Sequence, residues 1–256
     1  MLCKQFDKRY SVMGIKISPY RVNEFFDLLN TTLKEPKSEP LFFVTVNPEI
    51  AVETISDLEF KEILSSSSIN TSDGIGISWA VKYLHGQKVE RITGSDSLEK
   101  ICEIAAQTNN SIYFYGAMPG IAKRAADILE ERINELNIIG TYSPSKRDTP
   151  FDELPEDVRT GLQEANVVFV ALGAPYQEKW INNNISELKN CKVIAGIGGS
   201  FDFIAGNIKR APVFYRKTGL EWLYRLYLQP SRWRRMLKLP LFMINIILLK
   251  MARVNN

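Results

Sequence analysis

Apolar residues along the chain follow two alternating rhythms. Short β-rich runs predict strands at residues 12–17, 41–46, 111–115, 137–141, 167–172 and 192–197, with a further short one near Ile69. Several of these runs are continuously apolar, as in VVFVAL and VIAGI, which suits parallel strands buried on both faces. Helical spacing fills the gaps at 19–33, 48–64, 76–84, 95–107, 119–136, 156–165 and 175–188. Several of these segments open with proline, which fits a first helical turn because the missing N–H has no intrahelical partner there. Strand–helix alternation predicts right-handed crossovers and an α/β fold. The expected core is a mostly parallel, Rossmann-like sheet with helices on both faces.

After Pro212 the rhythm changes. No strand pattern follows, and the chain reads as aromatic, basic and helical, with one break at Gln229-Pro230. This predicts a core over 1–212 and a helical, membrane-associating appendage over 213–256. The length of 256 residues suits one large α/β domain carrying such an appendage.

The net charge of +3 says little, but its distribution says more. Arg216, Lys217, Arg225, Arg232, Arg234, Arg235 and Lys238 face a single acid, Glu221, between Phe214 and Lys238. A local cationic cluster on a nearly neutral chain points to an anionic partner: phosphate, anionic lipid or nucleic acid. Cys3, Cys102 and Cys191 are odd in number and far apart, which argues against a disulfide framework and for a reducing compartment. His85 is the sole histidine, which argues against a histidine zinc site and a Ser-His-Asp triad. Preceding Gly86, it reads as a helix C-terminal residue favoured by the dipole. The N-terminus has no apolar run and predicts no signal peptide. The longest apolar stretch, 239–249, is shorter than the roughly 20 residues a spanning helix needs. It could lie on a bilayer.

In an open parallel sheet, ligands bind beyond the carboxyl ends of the strands. Small or polar clusters fall there: TVNPE at 45–49, TSDGIG at 71–76, GAMPG at 116–120, GAPYQ at 173–177 and GIGGSFD at 196–202. Their glycines permit close backbone approach to a ligand, and the following helix N-termini offer N–H groups to an anion. One such loop needs only turn chemistry to explain it; five on one edge favour a nucleotide or phosphate site. The dinucleotide fingerprint fails, because Phe201 holds the third glycine position after Gly196 and Gly198, and no P-loop motif occurs. No DxD pair is present to clamp a metal on a sugar nucleotide, so a diphosphate would need protein cations. No metal site and no cofactor are expected.

Asp73 is the carboxylate that stands out. Partial desolvation at the sheet edge would raise its pKa and suit a general base. Its plainer role would be to cap the helix at 76–84. Arg232 and Arg235 share a face if the helix resumes after Pro230, and their planar N–H forks match phosphate oxygens. A solvated basic face, or attraction to anionic lipid, explains them equally well. Trp222, Leu223, Leu226 and Tyr227 form an apolar stripe that docks on the core or meets a membrane interface.

Taken in order, TVNPE (45–49), SDGIG (72–76), RITGSD (91–96), GTYSP (140–144), ALGAPYQEKW (171–180), GIGGSFD (196–202), AGNIKRAP (205–212) and GLEWLYRL (219–226) resemble the WecG/TagA/CpsF glycosyltransferases over nearly the whole chain. That resemblance implies an inverting, metal-independent transfer of an N-acetylmannosamine-type sugar from UDP to undecaprenyl-diphosphate-linked N-acetylglucosamine. It further implies a role in assembling cell-surface polysaccharide at the inner membrane face. Under it Asp73 is the base, Thr45 and Gln177 join it as the expected catalytic residues, and Asn47 is a further polar group of the active-site cleft. Asp202 lies near the nucleotide, and Arg225, Arg232 and Arg235 close over the diphosphate. Arg91, Gly116, Tyr142, Gly173 and Gly199, within the loops and motifs above, complete the expected substrate-binding set. After Gly140 the chain reads TYSPSK where some family members carry an HGYF-like run.

The expected partners are a UDP-sugar, a polyprenyl-diphosphate-linked acceptor and the inner membrane surface, with no nucleic acid. An exposed apolar patch could also be a subunit contact between copies of the chain. Two rival readings stay open on sequence alone. One is another UDP-sugar enzyme, such as an epimerase or dehydrogenase. The other is a non-enzymatic, membrane-docked anion-binding protein.

Overall fold

The computed structural model describes residues 9–36 and 39–254, apart from the side chains of Arg216, Lys217, Ser231 and Val254. Cys3 lies outside the described residues, as do the side chains of Arg216 and Lys217 from the basic cluster. The chain opens with a hairpin, β1 (Tyr10–Val12) and β2 (Ile15–Ile17). Sequence reading merges these into one strand. Met13 and Gly14 both take positive φ, 53° and 88°, which reverses the chain in two residues. Helix α1 (Val22–Lys34) follows, and then the main sheet begins.

Among the described residues that sheet has six strands, all parallel: β3 (Leu41–Val46), β4 (Ile69–Ser72), β5 (Ile112–Gly116), β6 (Ile138–Tyr142), β7 (Val167–Ala171) and β8 (Val193–Gly196). Their order is β4-β3-β8-β7-β5-β6. Inner strands such as β3 and β7 are buried at every position, which is why their sequences are apolar without alternation. Phe42, Val44 and Val46 of β3 point to one face, while Leu41 and Phe43 point to the other. The first face is covered by α2 (Pro48–Glu53), α3 (Leu58–Ser66), α4 (Ile75–His85), α7 (Glu156–Glu164) and α8 (Tyr176–Asn184). The second is covered by α1, α5 (Gly94–Gln107), α6 (Ile121–Arg132) and α9 (Ser200–Ile204).

The helix predicted at 48–64 is two helices. Asp57 accepts from the Phe60 backbone N–H at 2.9 Å and starts α3 afresh. The helix predicted at 175–188 ends at Asn184 and passes into a 3-10 turn, Ile185–Glu187. Of the helix-opening prolines, Pro48 takes a first-turn position, whereas Pro119 precedes the N-cap Gly120 and Pro175 is itself an N-cap. His85 ends α4 as expected; Gly86 follows in the left-handed region, and His85 Nε2 lies 2.9 Å from the Ser11 carbonyl.

Beyond Ala211 the chain runs through α10 (Val213–Thr218), α11 (Glu221–Leu228), a 3-10 turn (Pro230–Arg232), α12 (Trp233–Met236) and α13 (Lys238–Val254). Helix α13 buries Phe242 and Ile246 in the same apolar cluster as α2 and α4. Fully burying such side chains contributes about 1.5–3 kcal/mol each, so the tail is docked, not merely tethered. After β3 the chain turns to the first face, and after the neighbouring β8 it turns to the second. That reversal opens a crevice at the carboxyl ends of the two strands.

Candidate active site

The crevice is a cleft of roughly 430 Å³. Its walls are the loops that follow β3, β4, β7 and β8, together with Arg91–Ser95 at the start of α5. The tail covers it with residues from α11, α12 and α13. A second hollow of about 540 Å³ lies between α7 and the turn after α8, and no residue expected at the site lines it.

Asp73 lies in the cleft, directly after β4. Its backbone N–H donates to the Val46 carbonyl at 2.7 Å, which pins the loop to the end of β3. The N-cap of α4 is Gly74, without a side-chain bond, so Asp73 does not cap that helix. No described side chain hydrogen-bonds its carboxylate. Packed protein around the cleft deprives the charged form of water and raises its pKa to about 7; the Arg225 cation pulls in the opposite direction, and the Glu221 carboxylate adds to the rise. Desolvation thus brings the Asp73 carboxyl close to neutrality.

The three tail arginines predicted as ligands all line the same cleft. Arg225 lies over the Phe203 ring at 4.4 Å and bonds Glu221 at 3.1 Å along its own helix. Arg232 bonds Gln229 at 3.4 Å, and Arg235 bonds Glu49 of α2 at 2.7 Å. The Nε–H groups of Arg225 and Arg232 are buried without a partner, donors that an anion in the cleft would satisfy. Burial, aided by repulsion from Arg235, lowers the Arg232 pKa to about 10. Such crowding of cations is relieved by a bound anion.

Thr45, Asn47, Arg91, Gly173, Gln177 and Gly199 also line the cleft. Asn47 caps α2 through Oδ1, which accepts from Ile50 N at 3.0 Å. Gln177 is more constrained than a free catalytic amide. Its Oε1 accepts from Gly173 N at 3.1 Å and Gly198 N at 3.0 Å, and its Nε2 donates to Glu178 at 2.8 Å. A Cβ at position 196 would come within 2.5 Å of that Nε2, so Gly196 is required for the amide to reach between the loops. Gln177 is thus a clamp joining the β7 and β8 loops.

Three expected residues fall outside the cleft lining. Gly116 ends β5, with β7 intervening before β8; its φ is 107°, and a Cβ there would meet Ala171 backbone at 2.7 Å. Tyr142 ends the edge strand β6 and stacks on Tyr115 at 6.1 Å. Asp202 accepts from Asn207 at 2.8 Å on α9. Sequence reasoning missed two carboxylates. Glu49 joins the tail at the cleft rim. Glu178 is fully buried next to Gln177, and burial raises its pKa to about 7. Both stand inside motifs quoted from the sequence, but only the packing reveals their partners. Arg210, paired with Asp96 across the mouth of α5, likewise had no local signal.

An open parallel sheet with a cleft at its switch point, lined by a carboxylate raised towards neutrality and by the tail arginines, has the make-up of an α/β enzyme site. The chain belongs to the Glycosyl transferase WecG/TagA/CpsF family, whose model matches residues 10–256, and it is a glycosyltransferase. It is 36% identical over 205 residues, 79% of this chain and 77% of the relative, to an N-acetylglucosaminyldiphosphoundecaprenol N-acetyl-beta-D-mannosaminyltransferase of Bacillus subtilis (strain 168). A protein of the same description from Bacillus spizizenii (strain ATCC 23059 / NRRL B-14472 / W23) is 32% identical over 226 residues, 88% of this chain and 86% of the relative. Another, from Staphylococcus aureus (strain MRSA252), is 26% identical over 241 residues, 93% and 92% of the two chains.

Proposed function

We propose that this enzyme moves an N-acetylmannosamine-type sugar from UDP to N-acetylglucosamine carried on undecaprenyl diphosphate, with inversion and without a metal, at the inner membrane face, in cell-surface polysaccharide synthesis. The observation that carries the reading is the convergence of Asp73 and the tail arginines on one cleft. The relatives' names supply the acceptor and the transferred sugar. The donor's UDP is what the family resemblance implies; the arginines that line the cleft support a diphosphate leaving group.

In this mechanism the acceptor hydroxyl attacks the anomeric carbon from the side opposite UDP. The new C–O bond forms as the bond to the diphosphate breaks, and the hydroxyl proton passes to the Asp73 carboxylate. UDP leaves with the electron pair. Arg225, Arg232 and Arg235 stabilise the charge that develops on it, the electrostatic work a metal does in other transferases. Gln177 keeps the β7 and β8 loops in register under the donor.

The membrane part of the reading rests on α13. Leu241, Ile244, Leu248 and Met251 are exposed on the side opposite buried Phe242 and Ile246. Lys250 and Arg253 follow the stripe along the chain and turn towards α4, Lys250 over the Tyr83 ring at 5.9 Å and Arg253 donating to the Leu84 carbonyl at 3.5 Å. Among the described residues no helix is long and apolar enough to cross a membrane. An exposed apolar stripe supplies the apolar burial that holds a helix at a bilayer interface.

A donor screen tests the function. Purified full-length protein is given a short-chain polyprenyl-diphosphate-N-acetylglucosamine, and released UDP is measured. UDP-N-acetylmannosamine should be consumed faster than UDP-glucose or UDP-N-acetylglucosamine, with or without EDTA. Release that needs no acceptor, or a complete loss in EDTA, contradicts the reading.

A further inference from the structure

Each tail arginine at the cleft has a carboxylate partner, but the partners differ in origin. Arg225 is served by Glu221 on its own helix. Arg232 and Arg235 are served by Glu49, which belongs to the core. Glu49 stands in the first turn of α2, directly after Asn47 and Pro48, where the helix dipole favours a carboxylate. Its side chain is 16% exposed, and it accepts from Arg235 Nε at 2.7 Å, with ion-pair contacts to Arg235 Nη2 at 2.6 Å and Arg232 Nη2 at 4.0 Å. One turn along the same face, Glu53 pairs with Lys238. Helix α2 thus offers two carboxylates to two stretches of the tail, and the one nearer the strand ends holds the arginines.

We propose that Glu49 is a positioning residue: it fastens the tail to the core at the cleft rim and orients Arg232 and Arg235 to receive a diphosphate. The inference rests on the diphosphate-sugar reading above and extends it to a residue of the core. Arg235 is 56% exposed, and Glu49 is the sole described partner of its guanidinium. Freed of that contact, a long cationic side chain in repulsive company would spread among solvent-facing rotamers, and binding a ligand would have to order it again. The contact uses only the Nε–Nη2 edge of Arg235 and leaves Nη1 uncommitted. Arg232 likewise keeps its buried Nε–H unpartnered. One carboxylate shared between two guanidiniums keeps the pair cationic, so it steadies them without neutralising the site.

The test compares Glu49→Gln with Glu53→Gln in the full chain. Readouts are UDP affinity by calorimetry, donor KM and kcat for transfer, and limited proteolysis of the tail without nucleotide. Both variants should expose the tail to protease. Only Glu49→Gln should also weaken UDP binding about 10-fold and lower kcat/KM for the donor by at least as much, because the arginines it orients act on the leaving diphosphate. Glu53→Gln should leave both constants within 2-fold. Equal effects of the two substitutions would reduce Glu49 to a docking contact and overturn the proposal. Tighter UDP binding by Glu49→Gln overturns it too, because the carboxylate would then be a competitor of the diphosphate. If Glu49→Gln does not fold, Glu49→Asp, which keeps the charge but shortens its reach, takes its place under the same criteria. A parent protein that binds no UDP defeats the functional reading and this inference together. A parent that binds normally beside an unaffected Glu49→Gln defeats the inference alone.

Discussion

Asp73 combines three properties seldom found on one surface carboxylate: an open position in the cleft, no hydrogen-bond donor of its own, and a pKa raised to about 7 by desolvation. Its stability signature follows from linkage. In the unfolded chain an aspartate loses its proton near pH 4, whereas the folded chain keeps it to about pH 7. Between those values the native state binds more protons, so Asp73 costs stability as pH rises through the window. Glu178 acts in the same direction, since burial raises it to about 7 as well. Comparing the parent with Asp73→Asn isolates Asp73, because Glu178 is common to both. The variant should melt at a higher temperature than the parent at pH 8, with the difference shrinking towards pH 4. A difference that does not change with pH in thermal unfolding contradicts the assigned environment. The place of Asp73 at the cleft was legible in the sequence because its neighbours Gly74 and Gly76 mark a tight strand–helix turn. The role of Gln177 as a clamp was not, since the two N–H groups it holds come from loops 4 and 21 residues away in sequence.

Helix α13 is the element that makes the tail part of the fold. Phe242 is 1% exposed and Ile246 0%, both within the cluster that includes Ile50, Val52, Ile77 and Val81. Phe242→Ala should cost about 3–5 kcal/mol of packing. The loss should fall first on the attachment of the tail, because β3, β7 and β8 do not depend on it. Limited proteolysis should then cut after Pro212 at a rate well above the parent while the core fragment persists. A digestion pattern identical to the parent contradicts this placing of the cost. At this scale the six main-sheet strands and the helices between them were readable from apolar runs, since inner parallel strands carry no polar face to confuse the pattern. What pattern reading lost were the interruptions. The Met13-Gly14 reversal and the fresh start at Asp57 each depend on one backbone angle or one capping bond, too local to disturb an apolar period. The prolines misled for a related reason: their fixed φ suits the residues before a helix as well as its first turn.

As a whole, the molecule places an arginine-lined cleft beside a helix with an exposed apolar face. If that helix rests on a bilayer, a lipid-borne acceptor reaches the cleft by moving along the membrane plane and need not leave it. Flotation with anionic liposomes tests the arrangement. The parent should float, and Ile244→Asp combined with Leu248→Asp should abolish flotation while leaving UDP affinity unchanged. A double variant that still floats moves the membrane contact elsewhere on the chain. That these loops share the carboxyl edge of the sheet was visible in the sequence, but their spatial order and the fold of the tail back over them were not. That return depends on ion pairs between residues far apart in the chain, such as Arg235 with Glu49, for which no local pattern exists.

The central claim is that Asp73 takes the acceptor proton beneath arginines that hold the nucleotide. Its most direct measurement sets the turnover of Asp73→Asn beside its UDP affinity, in the same preparation. The account predicts UDP binding within about 2-fold of the parent and transfer slower by about 10²–10⁴-fold, the usual loss when a general base is removed. Transfer near the parental rate with UDP still bound would contradict it, and would take Asp73 out of the chemistry.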